Sequence, residues 1–361
     1  MARFAMIMAG GSGTRLWPMS RSAMPKQLVP FIGGRSLLEI AGERIAGLVP
    51  PERRLVCAAD AYRDLVLEAV PGLEPRNFLG EPIGRDTLNA VGFSAAILAA
   101  RDPDAVFCVL TSDHLITPQA TFEACMQTAF GLVESDPSRL ATFAITPTHP
   151  ATGYGYVEYG DAVPGHAPAV HCKRFVEKPD IKRAQEYVAS GRFGWNSGMF
   201  VLHARTVLDA IARFRPGNHA GLMRIHEAAA IGSDLARVVS EVYPGLPKVS
   251  VDVALMEPAS VDAALSVCTV PMPVDWRDVG SWPSWGSTLP ADDAGNRASC
   301  PAVHLGSTNI VVASDDPSHT VATIGLDHVV IVRTKDATLV CRADLAEQVK
   351  DLVARLPPSL R

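Results

Sequence analysis

Phe4-Ala-Met-Ile-Met-Ala-Gly-Gly-Ser-Gly-Thr-Arg-Leu-Trp-Pro-Met-Ser-Arg-Ser-Ala-Met-Pro-Lys-Gln27 is the stretch from which the rest of the chain can be read. Its apolar opening, Phe4 to Met8, reads as a buried parallel strand. Gly10, Gly11 and Gly13 follow, at a spacing that lets the backbone turn sharply and bring N–H groups close to a ligand. Arg15 and Lys26 add two cations. A strand, a glycine turn and two positive charges form a cradle suited to a polyphosphate. A glycine-rich turn with two solvated cations would explain Gly-x-Gly alone equally well. The stretch is not a P-loop, because no Gly-Lys-Ser/Thr closes it. Nor is it the dinucleotide fingerprint, because Leu16 stands where a third glycine is needed.

Composition narrows the function classes. The chain has 361 residues, enough for a large core and two domains. A formal charge of -5 argues against a general basic surface, so no nucleic-acid partner is expected. An anionic substrate must be held by local cations or a metal. The seven cysteines, at 57, 108, 125, 172, 268, 300 and 341, form no C-x-x-C pair. Their odd number and scatter point to a reducing, cytoplasmic setting rather than a zinc site or disulfide framework. The first apolar run is too short for a signal peptide, and no later run reaches the length of a membrane span.

Working outward, Ser36-Leu-Leu-Glu39 reads as a capping box opening a helix. Strands are expected at 55–58, 77–79, 105–110 and 140–145, with helices between them, one of them from Thr87 to Arg101. That alternation implies an α/β fold with a doubly wound, mostly parallel, Rossmann-like sheet. Ligands on such sheets sit beyond the carboxyl ends of the strands. The glycine turn, Glu81 and Asp113 each follow an expected strand, so all three are expected to face one crevice. From Gly153 the pattern changes to hairpin-like strands, a helix capped by Asp180, and a strand over 199–202. A linker near 289–301 separates residues 1–288, expected to form the catalytic domain, from a small β-rich C-terminal domain, 289–361, that ends in a helix.

Asp113 and Asp278 each follow or interrupt an apolar run, where a lone carboxylate needs a partner. Helix capping or a surface turn would explain either one alone. As a pair they can hold one Mg²⁺, which takes one or two carboxylates and fills its shell with water and phosphate oxygens. Phe175-Val-Glu-Lys-Pro179 places an acid and a cation together ahead of a helix. Lys178 can neutralise a phosphate, and Glu177 can accept hydrogen bonds from hydroxyls; a surface ion pair is the alternative.

Gly11-x-Gly13-x-Arg15-x-x-Pro18 with Pro25-Lys26 resembles the signature of the sugar-1-phosphate nucleotidyltransferases. Leu16-Trp17-Pro18 and Gln27 resemble the mannose-1-phosphate guanylyltransferase branch, and the resemblance runs strongly over about 3–285. It implies the short form, without the isomerase domain of larger relatives. Ser112-Asp113-His114 and Trp276-Arg-Asp278-Val-Gly280 match the family's Mg²⁺ motifs. The resemblance implies catalytic roles for Arg15, Lys26 and Lys178. It implies nucleotide contacts from Ala9, Gly10, Gly11, Gly13, Thr14, Glu81, Arg85, Thr87 and Ser112. On the sugar-phosphate side it implies Gly155, Glu177, Lys178, Asn196 and Asp252.

The implied reaction is GTP plus α-D-mannose 1-phosphate giving GDP-mannose and pyrophosphate, in a homodimer. The same chemistry on another sugar 1-phosphate or base, or a non-catalytic paralogue that binds sugar nucleotide, are the alternatives. The chain departs from the family's Glu-Pro-x-x-Arg-Asn-Thr-Ala-Pro-Ala at Asp86, Leu88 and Asn89, and from an expected tyrosine at Val253. Guanine offers two adjacent donors that a carboxylate can accept, so Glu81 is expected to read the base. Capping the helix that begins at Thr87 is its alternative role. Arg85 is expected near O6 or N7.

Overall fold

The computed structural model describes every residue except Ser12. By compactness the chain divides into two units. One comprises Met1–Gly10, Ala41–Ser112 and Ile116–Trp276; the other comprises Gly11–Ile40, Asp113–Leu115 and Arg277–Arg361.

The first unit is built on a nine-stranded sheet. Across the sheet the strands are Phe78–Glu81, Arg54–Ala59, Arg3–Met8, Val106–Thr111, Phe193–His203, Arg139–Ile145, Ser266–Pro271, Val170–Val176 and Tyr156–Ala162. The first four run parallel, in register from Met6 to Leu55 and from Met6 to Val109. Only Phe193–His203 and Val170–Val176 run against the rest, so the sheet is mostly parallel, as the alternation of elements implied.

The first strand shows why both faces are covered. Phe4 and Met6 join a core with helix Thr87–Arg101 and the helices Ala204–Phe214 and Pro216–Ala230. Ala5 and Ile7, pointing the other way, are equally buried. A strand apolar on both faces can lie only inside a layered sheet. Helix Thr87–Arg101 is apolar almost all round for the same reason: twelve of its residues, Leu88 to Ala99, are buried.

Helix entries follow local chemistry. Asp180 accepts from the Arg183 N–H and Asp86 from the Thr87 N–H. Asp86 does this at φ 68° and ψ 173°, a positive-φ extended backbone rare outside glycine. Asp252–Met256 forms a π-turn that leads into the short helix Glu257–Ser260. The expected strand at 199–202 starts earlier, at Phe193.

The second unit centres on a coil of short parallel strands. Arg297–Ala298, Val311–Ser314 and Val329–Arg333 stack in one ladder, and Ala302–Leu305 pairs with Val321–Ile324 in another. Thr338–Arg342 closes the first ladder antiparallel, and helix Val349–Val353 follows. Residues 11–40 group with this coil rather than with the 41–276 sheet, although sequence alone put the division near 288. Leu16, Trp17 and Leu37 share one core with Val279, Trp282, Trp285, Val311 and Val330. The Trp282 indole N–H donates to the Trp17 carbonyl at 2.9 Å, and that of Trp17 to the Leu360 carbonyl at 2.7 Å. The capping box also forms, with Glu39 N–H to Ser36 Oγ at 3.1 Å and Ser36 N–H to Glu39 Oε2 at 3.4 Å.

No helix among the described residues is long and apolar enough to cross a membrane.

Candidate active site

In the second unit the glycine turn leads to a cluster of opposed charges. Gly13 sits at φ 61°, and a Cβ there would come within 2.5 Å of the Lys26 Cβ and Cγ. Only glycine lets the Lys26 stem lie against the turn. Ser20 Oγ donates to the Gly13 carbonyl at 2.6 Å, and Gln27 Nε2 to that of Gly11 at 3.4 Å. Ser20 and the Pro-Lys-Gln part of the motif thus support the turn that carries Lys26 against it.

Lys26 Nζ reaches Asp113 Oδ2 at 2.6 Å. The Val279 N–H donates to the Asp113 carbonyl at 2.9 Å, which ties the backbone after Asp278 to the Asp113 strand end. Ligand atoms of Asp113, His114 and Asp278 all lie within 4.8 Å of one another. Burial pushes the Asp113 carboxyl up, but the Lys26 ammonium and His114 outweigh it and hold it at about 2. Asp278 moves the other way, to about 6: burial raises it, the neighbouring Asp113 charge raises it further, and Lys26 and Arg15 only partly compensate. Two carboxylates held this close favour a cation between them, and oxygen donors suit a hard divalent ion. The donor set therefore fits a hard divalent cation. Arg15 Nε pairs with Glu347 Oε2 at 2.9 Å, both well exposed. Thr14 opens the short turn Thr14–Leu16 that presents Arg15.

The first unit carries two further groups. Ala9 and Gly10 extend its first strand, with the Ala9 N–H on the Cys57 carbonyl at 2.8 Å. The Ser112 N–H holds the Met8 carbonyl at 3.1 Å, and Ser112 is buried. Glu81 ends the strand Phe78–Glu81, at the sheet edge and separated from the first strand by Arg54–Ala59. The Tyr243 phenol donates to Glu81 Oε1 at 2.6 Å. Burial pushes the Glu81 carboxyl up, and the Tyr243 bond opposes that. The helix beginning at Thr87 is capped by Asp86, so Glu81 has no capping duty. Arg85 turns toward the protein and donates to the Pro244 carbonyl. Thr87 Oγ1 accepts from the Val251 N–H at 2.8 Å. Asn89, one of the departures from the family pattern, donates to the carbonyls of Arg85 and Pro247 at 2.6 and 2.9 Å and accepts from Asn218 at 2.9 Å.

The other group joins Gly155, Glu177, Lys178, Asn196 and Asp252. Lys178 Nζ donates to Glu177 Oε1 at 2.7 Å, and the Glu177 N–H to Glu257 Oε1 at 2.8 Å. A Cβ on Gly155 would meet Glu177 Oε2 at 2.6 Å and Asn196 Cβ at 3.3 Å, so the close approach requires glycine. Asn196 is held in place by three bonds, which leave one Nδ2 proton over: Oδ1 accepts from Thr142 Oγ1 at 3.0 Å and the Gly198 N–H at 3.2 Å, and Nδ2 donates to Asp252 Oδ1 at 2.9 Å. Burial and the Glu177 charge push the Asp252 carboxyl up to about 7, against the pull of Lys178 and Asn196. Hydrogen bonding to Glu177 raises the Lys178 ammonium, which stays charged. Lys178 adopts φ 46°, a left-handed backbone in a lysine, at the point where it turns to Glu177. Tyr154 stacks edge-on against Trp195 and Trp276, with ring centroids 5.2 and 5.0 Å apart.

Sequence reasoning singled out each of these sets but missed Tyr243, Glu257, Ser20 and the propping role of Gln27. Tyr243, Glu257 and Ser20 carry no motif reading of their own, and what each of the four does is defined by its partner in the fold.

A family model described as nucleotidyl transferase matches residues 4–292, and one described as MannoseP isomerase/GMP-like beta-helix domain matches residues 301–356. The chain is 38% identical over 360 residues to a mannose-1-phosphate guanylyltransferase of Klebsiella pneumoniae, covering 99% of this chain and 74% of that protein. A mannose-1-phosphate guanylyltransferase of Escherichia coli matches at the same identity and coverage. The crystal structure of a protein named mannose-1-phosphate geranyltransferase, from Thermus thermophilus, has a TM-score of 0.85 at 31% identity, over 98% of this chain and 99% of that one. A parallel sheet whose first strand runs into a glycine turn, a paired-aspartate cluster and these similarities agree: the chain belongs to the nucleotidyl transferase family, in the branch of the mannose-1-phosphate guanylyltransferases.

Proposed function

We propose that the protein transfers GMP from GTP to α-D-mannose 1-phosphate, releasing pyrophosphate and forming GDP-mannose. The observation that carries this reading is the convergence of Asp113, Asp278 and Lys26, in a chain that is 38% identical to a mannose-1-phosphate guanylyltransferase over 360 residues. The sugar phosphate is already an anion, so its oxygen can attack the α-phosphorus in line without a general base. A P–O bond forms to that oxygen while the bond to the leaving pyrophosphate breaks. Arg15 and Lys26 counter the triphosphate and the leaving group. Lys178 holds the sugar phosphate. Glu177, Asn196, Asp252 and the close-packed Gly155 address the sugar hydroxyls. The backbone of Ala9, Gly10, Gly11 and Gly13, with Thr14, Thr87 and Ser112, frames the nucleotide.

Asp113 and Asp278 are the residues to hold Mg²⁺, which when bound supplies charge neutralisation to nucleotide oxygens. Glu81 reads guanine, accepting from its N1–H and exocyclic amine. Arg85, committed to the Pro244 carbonyl, serves this reading by shaping the loop rather than by its own contact with O6 or N7.

All catalytic groups named lie within 1–288, and residues 289–361 form the small β-rich part. Seven free cysteines support work in the reducing cytoplasm. A homodimer completes the reading; Val303, Leu305 and Ile324, exposed on paired strands, offer apolar area for it. Sedimentation giving a monomer at micromolar concentration would remove that element.

Pyrophosphate release across four nucleoside triphosphates and several sugar 1-phosphates tests the whole reading. GTP with mannose 1-phosphate should give the highest kcat/KM. A clear preference for another pair would replace the substrate assignment, and no turnover with any pair would make the protein a binding paralogue.

A further inference from the structure

Glu81 ends a strand, and a carboxylate in that position would ordinarily swing between rotamers. Here it cannot. Tyr243 opens the turn Tyr243–Gly245, is wholly buried, and packs against Phe93 with ring centroids 5.6 Å apart. Its phenol donates to Glu81 Oε1 at 2.6 Å. Oε2 takes no hydrogen bond among the described residues, and it lies 3.6 Å from where a side chain on Gly10 would begin. One oxygen is held from behind while the other faces the end of the first strand. The turn that carries Tyr243 is itself fastened. Arg85 donates to the Pro244 carbonyl. Asn89 and Asn218 both donate to the Pro247 carbonyl, at 2.9 and 2.8 Å, and the Leu88 N–H donates to the Val249 carbonyl at 3.2 Å.

We propose that Tyr243 is a specificity-determining positioning residue: by holding Glu81 Oε1 it fixes the plane of the carboxylate that accepts the paired donors of guanine. This rests on the reading of Glu81 as the guanine reader. A carboxylate oxygen has two lone pairs, so Oε1 can serve Tyr243 and one base donor while Oε2 takes the other. Two parallel bonds to N1–H and the exocyclic amine need the carboxylate in the plane of the base. A carboxylate free to rotate gives up that geometry, and with it the penalty for a base lacking the amine. Tyr243 also opposes the upward push of burial on the Glu81 carboxyl.

The experiment compares kcat/KM for GTP and for ITP, which lacks the exocyclic amine, in wild type, Tyr243→Phe, Glu81→Gln and the double variant. Wild type should prefer GTP. Tyr243→Phe should lower the GTP/ITP ratio about tenfold, mainly through KM for GTP and with little change for ITP. In the Glu81→Gln background the second substitution should leave the ratio where it is. A general packing defect would slow both nucleotides alike and preserve the ratio. Should Tyr243→Phe melt too low for assay, calorimetric binding of GDP and IDP in the cold reads the same ratio. A collapsed ratio in Glu81→Gln with an unchanged ratio in Tyr243→Phe overturns the role of Tyr243 and leaves the base reading standing. An unchanged ratio in Glu81→Gln overturns both.

Discussion

Lys26 Nζ lies 2.6 Å from Asp113 Oδ2, so the ammonium occupies the place of a counter-cation to the carboxylate assigned to the metal. The two cations therefore compete for one oxygen. Removing the ammonium in Lys26→Met should tighten Mn²⁺ binding to the nucleotide-free protein by about tenfold. Nucleotidyl transfer should nevertheless fall on the order of 10²-fold, because the leaving pyrophosphate loses its cation. Mn²⁺ titration followed by electron paramagnetic resonance reads the first effect without turnover. An affinity that is unchanged or weaker would show that Lys26 does not stand in for the metal.

The proximity of Asp113, His114 and Asp278 within 4.8 Å predicts that the two carboxylates act as a unit. Asp113→Asn and Asp278→Asn should each reduce single-turnover transfer on the order of 10²-fold or more. The double variant should be little worse than either single one. Multiplicative losses would mean that each aspartate does a separate job.

Gly11 and Gly13 both have positive φ, yet only Gly13 has a close neighbour, the Lys26 stem. Gly11→Ala should cost about 1–2 kcal/mol of stability from backbone strain alone. Gly13→Ala carries the same strain and also displaces Lys26, so its transfer rate should fall well below that of Gly11→Ala. Equal rates in the two variants would mean that the contact with Lys26 is unimportant.

Asp252 has a carboxyl pushed up to about 7, above its unfolded value of 3.8. Between those two values the folded state holds a proton that the unfolded state has lost, so stability falls as pH rises through that window and is lowest above it. Asp252→Asn removes the titration while keeping an oxygen for Asn196 Nδ2, at 2.9 Å in the native pair. The variant should match wild type near pH 4 and exceed it at pH 8 by on the order of 1–2 kcal/mol. Denaturant melts at the two pH values decide this; a stability gap that does not widen with pH refutes the raised carboxyl.

Much of the first unit was legible before folding was considered. The alternation of apolar runs with helical periods specifies a parallel layered sheet, and the capping chemistry at Asp180, like that at Ser36 in the second unit, places helix starts, because both are set by residues within a few positions of each other. Gly11, Gly13, Arg15, Lys26, Asp113 and Asp278 were legible as chemistry, because so few residue types can turn a backbone onto a phosphate or face a cation. Tertiary structure alone decided which of these groups restrain one another. Lys26 meets Asp113 across 87 positions of chain, and Tyr243 meets Glu81 across 162. Trp17, read with Leu16 and Pro18 as a mark of the guanylyltransferase branch, packs in the core of the C-terminal coil. Nor does any local period mark Phe193–His203 as the strand that runs against its neighbours Val106–Thr111 and Arg139–Ile145. Turn geometry, caps and amphipathic periods are enforced by neighbouring residues and can be read in order. The restraint on a buried carboxylate is enforced by whatever the packed layers bring against it, and that exists only once they have closed.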